Sequence, residues 1–198
     1  MKKGLPIVTL LILAVSSLSY LSPFAAGMFI YDRELILHGQ LWRLLTCVFV
    51  HFSADHFFYN ALVVGAAGWL IERNQRLAVG IQGAIAAVSG SLFLLLARRE
   101  VGFYGGLSGL AVMMVVYLGL GEAKSGGPAA LWWRALLAGV VIKIIFEVMT
   151  GSYVFVVAEA EKFVVLPSMH LIGGLTALVS FIMRQTILEG GNHEVRHI

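Results

Sequence analysis

Apolar residues along the chain gather into six stretches, 5–20, 49–71, 77–97, 106–120, 131–150 and 167–183, with the charges pushed into the segments between them. Those segments hold Arg73 and Arg76, Arg98 to Glu100, Glu122 to Lys124, and Glu159 to Lys162. In lipid only helices and closed barrels satisfy their own backbone, and runs of this length are helical. The pattern therefore predicts an all-α membrane protein with six transmembrane helices. One domain spans 1–198, with its helical core at about 5–186 and a short polar tail at 187–198. Neither a repeat nor a low-complexity tract interrupts it.

Composition agrees. Of 198 residues 59% are hydrophobic and 13% charged, with a mean hydropathy of +0.88. Soluble domains average roughly 45–50% apolar and about 25% charged residues, so a cytosolic fold and a disordered chain are both excluded. The net charge of +3 comes without a basic stripe or interleaved aromatics, which excludes nucleic acid as a partner and leaves the lipid bilayer. The single cysteine, Cys47, cannot form an internal disulfide. Lys2, Lys3 and the small residues Ala25-Ala26-Gly27 also fit a secretory signal peptide, but Pro23 ends a helix and the cleavage site is poor. With the first stretch retained and the start inside, eight Lys and Arg fall on the cytoplasmic side and five outside. Both termini are thus expected in the cytoplasm, in a bacterial inner membrane.

By parity the second, fourth and sixth stretches begin on the same, outer side. Each carries polar residues near its beginning: His51, His56 and Asn60; Gly106-Leu107-Ser108-Gly109; and His170, three residues after Pro167. Intramembrane ionisable groups are costly and mark functional sites. The fourth stretch is 15 residues, about 22 Å of helix against a core of about 30 Å. Either the bilayer thins there or the helix starts below the surface, in the second case with Gly102, Gly105 and Gly106 in an inward-dipping loop beside a watery cavity. Ser108 then sits on the first turn, where N–H groups lack intrahelical partners and can serve an oxyanion. His56 and Asn60 are four apart and share a helix face, and both can donate towards that oxyanion. His51 lies about 140° away and is assigned to anchoring the preceding loop. Gly109, Gly173 and Ala177 supply small faces through which the fourth and sixth helices can bring His170 to Ser108. Taken singly, G-x-S-G reads as packing, His170 as a satisfied core histidine and His56 with Asn60 as interhelical glue. Their shared depth and complementary chemistry favour a catalytic site.

These residues resemble the rhomboid family of intramembrane serine proteases. The resemblance rests on Trp42-Arg43, His51-x4-His56-x3-Asn60, Gly106-Leu107-Ser108-Gly109 and His170-x2-Gly173. It implies a six-helix rhomboid-like bundle with Ser108 as nucleophile, His170 as general base, and His56 and Asn60 as oxyanion donors. It gives Glu72 a structural role. A narrower resemblance is to the rhombosortase branch, through Tyr31-Asp32-Arg33, Ile36-Leu37, Gly39-Gln40-x-Trp42-Arg43-Leu44-Leu45-Thr46, Tyr104, Lys143-x3-Glu147 and Val164-Val165 ahead of His170-Leu171. That branch implies transmembrane substrates bearing a C-terminal tail of Gly-Gly, an apolar helix and basic residues. Val112 stands where rhomboids often place an aromatic ring, Met169 where alanine is usual, and Ala177 where a second glycine is usual.

Other chemistries fail on spacing. His51-Phe52-Ser53-Ala54-Asp55-His56 is not H-E-x-x-H, and neither Asp32 nor Asp55 lies deep in a helix. His193 and His197 lie in a polar tail, so no metal is implied and no organic cofactor. Lys143 and Glu147 share a helix face as an internal ion pair or as a contact to the substrate's end. With no buried carboxylate assigned to His170, a Ser-His dyad is expected. A general rhomboid protease without Gly-Gly preference and a non-catalytic rhomboid-like binder of membrane segments are the alternatives.

Overall fold

The computed structural model describes residues 4–75, 77–151 and 166–194; Arg76, the charges at Glu159 and Lys162, the Val164-Val165 pair and His197 lie outside them. The chain is helical as expected. Helix α1 (Ile7–Leu21) bends by 116° into α2 (Pro23–Phe29), where Ser22 caps the new helix by accepting from the Ala25 amide at 3.3 Å and Pro23 takes its first position. The strand β1 (Tyr31–Asp32) and the short helices α3 (Arg33–Leu37) and α4 (Arg43–Thr46) follow. A 3₁₀ turn at Cys47–Phe49 then leads into α5 (Ala54–Glu72), with a 99° bend. The rest is α6 (Ala78–Ala97), β2 (Phe103–Tyr104), α7 (Ser108–Lys124), α8 (Ala130–Thr150) and α9 (Pro167–Glu194).

The six long helices answer to the six apolar stretches, with shifted ends. The second helix starts at Ala54 rather than at 49, because Ser53 is extended and its side chain accepts from the His56 amide at 3.3 Å. The fourth starts at Ser108, since Gly106 has φ +142°, outside any helical region. By length and composition only Ala78–Ala97 among the described helices can cross a membrane alone, or up to three spans if each bent pair counts as one. The expected six spans are thus six helices here, not six individually qualifying spans.

Helix α7 stands in the middle, packed on α5, α6, α8 and α9. Its Leu110, Met113, Met114 and Tyr117 are buried with Val64, Ala67, Ala86 and Leu94 from its neighbours. The outward faces are apolar too: Leu62, Trp132 and Met149 are exposed, an arrangement suited to lipid rather than water. Buried Glu72 joins α5 to α1 by accepting from the Val8 amide at 3.1 Å and from the amide and hydroxyl of Thr9. This matches the structural role that the resemblance gave it.

The connection between α1 and α5 is tied down by its own polar groups. Arg43, 3% exposed, donates to the Gly27 and Ile30 carbonyls at 2.9 and 2.7 Å, and Trp42 Nε1 donates to the Met28 carbonyl at 3.2 Å. Strands β1 and β2 pair antiparallel, Tyr31 with Tyr104 and Asp32 with Phe103. Arg33 donates to the Leu95 carbonyl at 2.9 Å, near the end of α6. These contacts hold β2, and β2 delivers the chain to the start of α7.

Candidate active site

The turn into α7 is fixed from below. The Gly106 amide donates to the Cys47 carbonyl at 3.2 Å, and the Leu107 amide donates to His51 Nε2 at 3.3 Å. A Cβ on Gly106 would lie 2.7 Å from His56 Cε1, so only glycine lets the imidazole approach this backbone. His51 precedes α5 and is not on it. The helical angle assigned to it from sequence therefore does not apply, and its ring lies 5.2 Å from that of His56. It sits behind the turn rather than in the cavity. Ser108 opens α7, and no side chain caps that end of the helix. Buried Tyr104, on β2, stands just ahead of this turn, and burial pushes the pKa of its phenol up.

Helices α7 and α9 meet backbone to backbone beside this serine. A Cβ on Gly173 would fall within the van der Waals shell of the Gly109 carbonyl oxygen, and one on Gly109 would lie 3.0 Å from the Met169 carbonyl oxygen. Buried His170 follows Met169. On its other side stands α8. Glu147 Oε2 is 2.8 Å from His170 Nδ1, and Lys143 Nζ is 2.7 Å from Glu147 Oε1 and 3.3 Å from the same Nδ1. The expected ion pair is present, but the expectation of no carboxylate beside His170 is corrected. An unpaired carboxylate facing lipid would be costly, so α8 turns its Lys143–Glu147 edge inward, where Glu147 is 2% exposed.

One cavity of about 300 Å³ collects these groups. His56, Asn60, Ser108, Lys143, Glu147 and His170 line it, with Val112 and other apolar side chains of α5, α7 and α8 around them. Asn60 donates one amide N–H back to the His56 carbonyl at 2.8 Å, leaving its second N–H for another acceptor. Gly106, Gly109 and Gly173 act as spacers beside the cavity. Trp42 and Arg43 do not reach it and tie down the connection between α1 and α5 instead. Chemically the cavity offers a hydroxyl at a helix N-terminus, an imidazole braced by a carboxylate, and convergent N–H donors in mostly apolar walls. That set suits acyl transfer.

The pairing of Glu147 with His170 is what the sequence hid. Its one available signal was a carboxylate in an otherwise apolar helix, four residues after a lysine. Tyr104 carried only its place in the rhombosortase resemblance, with no role attached.

Residues 38–186 match the Rhomboid domain family. The chain is also similar to rhomboid protease GluP of Bacillus subtilis (strain 168), 28% identical over 120 residues, covering 48% of this chain. That alignment takes in 24% of the relative, so the chain spans only a minor part of the length of the curated protein it matches. The family match takes in all the cavity's polar residues, from His56 to His170, and on it this chain is a membrane protein that belongs to the rhomboid family.

Proposed function

We propose that this chain is a serine endopeptidase that cuts membrane-anchored proteins, with Ser108 as nucleophile and His170 as general base. The observation that carries the reading is the single cavity in which Ser108, His170, His56 and Asn60 meet. The rhomboid protease named above supports it. The Ser108 hydroxyl attacks the peptide carbonyl carbon while its proton passes to His170 Nε2. His56, the second Asn60 N–H and the Ser108 amide stabilise the oxyanion. Collapse breaks the C–N bond, and the proton on Nε2 goes to the leaving amine. Water then adds to the acyl-enzyme by the same route in reverse and restores the serine. The six long helices act as six spans in a bacterial inner membrane, with both termini cytoplasmic and the cavity towards the periplasmic side.

The substrate reading is a C-terminal Gly-Gly sorting tail, supported by the rhombosortase-like motifs. A helix hides its carbonyls, so the segment to be cut must unwind first. Glycine weakens a helix by about 1 kcal/mol per residue relative to alanine. Two adjacent glycines ease that unwinding and let backbone approach Ser108. The test fuses such a tail to an unrelated secreted domain and follows its size in cells with and without this protein. Processing is expected for Gly-Gly and blocked for Leu-Leu. Equal processing of both sinks the rhombosortase reading and leaves a general rhomboid protease. Processing of neither tail favours a non-catalytic binder.

A further inference from the structure

We infer that Glu147 is a positioning residue that sets the tautomer of His170, so that Ser108, His170 and Glu147 form a triad braced by Lys143. The inference rests on the protease reading above and goes beyond its dyad. Two groups compete for the same ring nitrogen. Glu147 Oε2 approaches His170 Nδ1 at 2.8 Å and accepts a hydrogen; Lys143 Nζ approaches it at 3.3 Å and can only donate one. These demands are exclusive. If Nδ1 carries the hydrogen, it donates to the carboxylate and Nε2 keeps the lone pair that the Ser108 proton requires. If Nδ1 accepts from Lys143, the hydrogen sits on Nε2 and the ring is no base towards serine.

The geometry decides for the first. The carboxylate contact is the shorter, and its acceptor is a charged group that is 2% exposed, where an unsatisfied oxygen would be costly. Lys143 meanwhile has a better partner in the other carboxylate oxygen, at 2.7 Å. The ammonium thereby neutralises Glu147 in an apolar setting and holds its other oxygen, Oε1. Glu147 and His170 sit on different helices, 23 residues apart, so the contact is tertiary and fixes the ring to α8 as well as to its own helix. During acylation the Nδ1 hydrogen stays on His170. Only the Ser108 proton moves, to Nε2 and on to the leaving amine, while the adjacent carboxylate stabilises the transient imidazolium.

Two measurements on the full-length protein in detergent test this. The first is the second-order rate at which a fluorophosphonate labels Ser108. Glu147→Gln keeps the shape and an acceptor but can instead offer its N–H to Nδ1, so labelling should fall by about 10²–10⁴. Glu147→Asp should recover part of it, with the thermal midpoint of each variant measured alongside. The second is the ¹⁵N spectrum of histidine-labelled protein, which reports the tautomer without any substrate. Wild type should show His170 protonated at Nδ1, assigned by loss of its signal in His170→Ala. Labelling of Glu147→Gln within threefold of wild type, or a wild-type ring protonated at Nε2, overturns the inference while the protease reading stands. Equal labelling of Ser108→Ala and wild type defeats the protease reading instead, and the tautomer measurement still decides the role of Glu147.

Discussion

His56 and Asn60 show how far one side chain's role follows from its contacts. The His56 ring packs against Gly106, where a Cβ would come within 2.7 Å of it, and Asn60 has one N–H committed to the His56 carbonyl. Each therefore brings a limited share of donors to the cavity, backed by the Ser108 amide. Removing one oxyanion donor typically lowers the rate by about 10²–10³. His56→Ala and Asn60→Ala should each reduce kcat by that order and leave KM nearly unchanged, as measured on a purified tail fusion. A loss confined to KM in both variants would assign them to substrate binding. The four-residue spacing that joins these two was legible in the sequence, because helical periodicity is a local rule. The pairing of Glu147 with His170 was not, because no local rule says which face α8 turns towards α9.

At the scale of elements, the site depends on how closely α7 and α9 approach. The contact of Gly173 with the Gly109 carbonyl leaves no room for a methyl group, and the obstacle is backbone rather than a side chain that could swing aside. Overpacking of this kind costs typically about 1–3 kcal/mol. Gly173→Ala should lower the thermal midpoint and separate Ser108 from His170, with activity lost ahead of stability. A variant with wild-type midpoint and wild-type cleavage would show that the close approach is dispensable. The six helices were readable because hydropathy reports where apolar residues cluster, and the small residues marked this interface beforehand. Helix ends were less readable: Ser53 as cap and Gly106 at positive φ set them, and both fall inside or beside apolar runs. The β1–β2 pair escaped altogether, since two residues per strand cannot display an alternating pattern.

Across the described molecule, the polar residues of the candidate site lie towards one end of an apolar bundle, at the starts of α5, α7 and α9 and the end of α8. The cavity opens between α5, α7 and α8, and its walls are mostly apolar apart from the residues assigned to catalysis. The connection between α1 and α5, stapled by Arg43 and by the β1–β2 pair, holds the turn that leads into α7 at Ser108. Such an arrangement suits a substrate that arrives through lipid and meets water and serine together. The most direct test reconstitutes the full-length protein in liposomes with a Gly-Gly-tailed fusion and follows product formation by mass. Wild type should release the outer domain with one new terminus near the glycines, whereas Ser108→Ala and His170→Ala, inserted to the same level, should release none. Release by Ser108→Ala at a rate near wild type would contradict the assignment of this chain as a serine protease acting through Ser108.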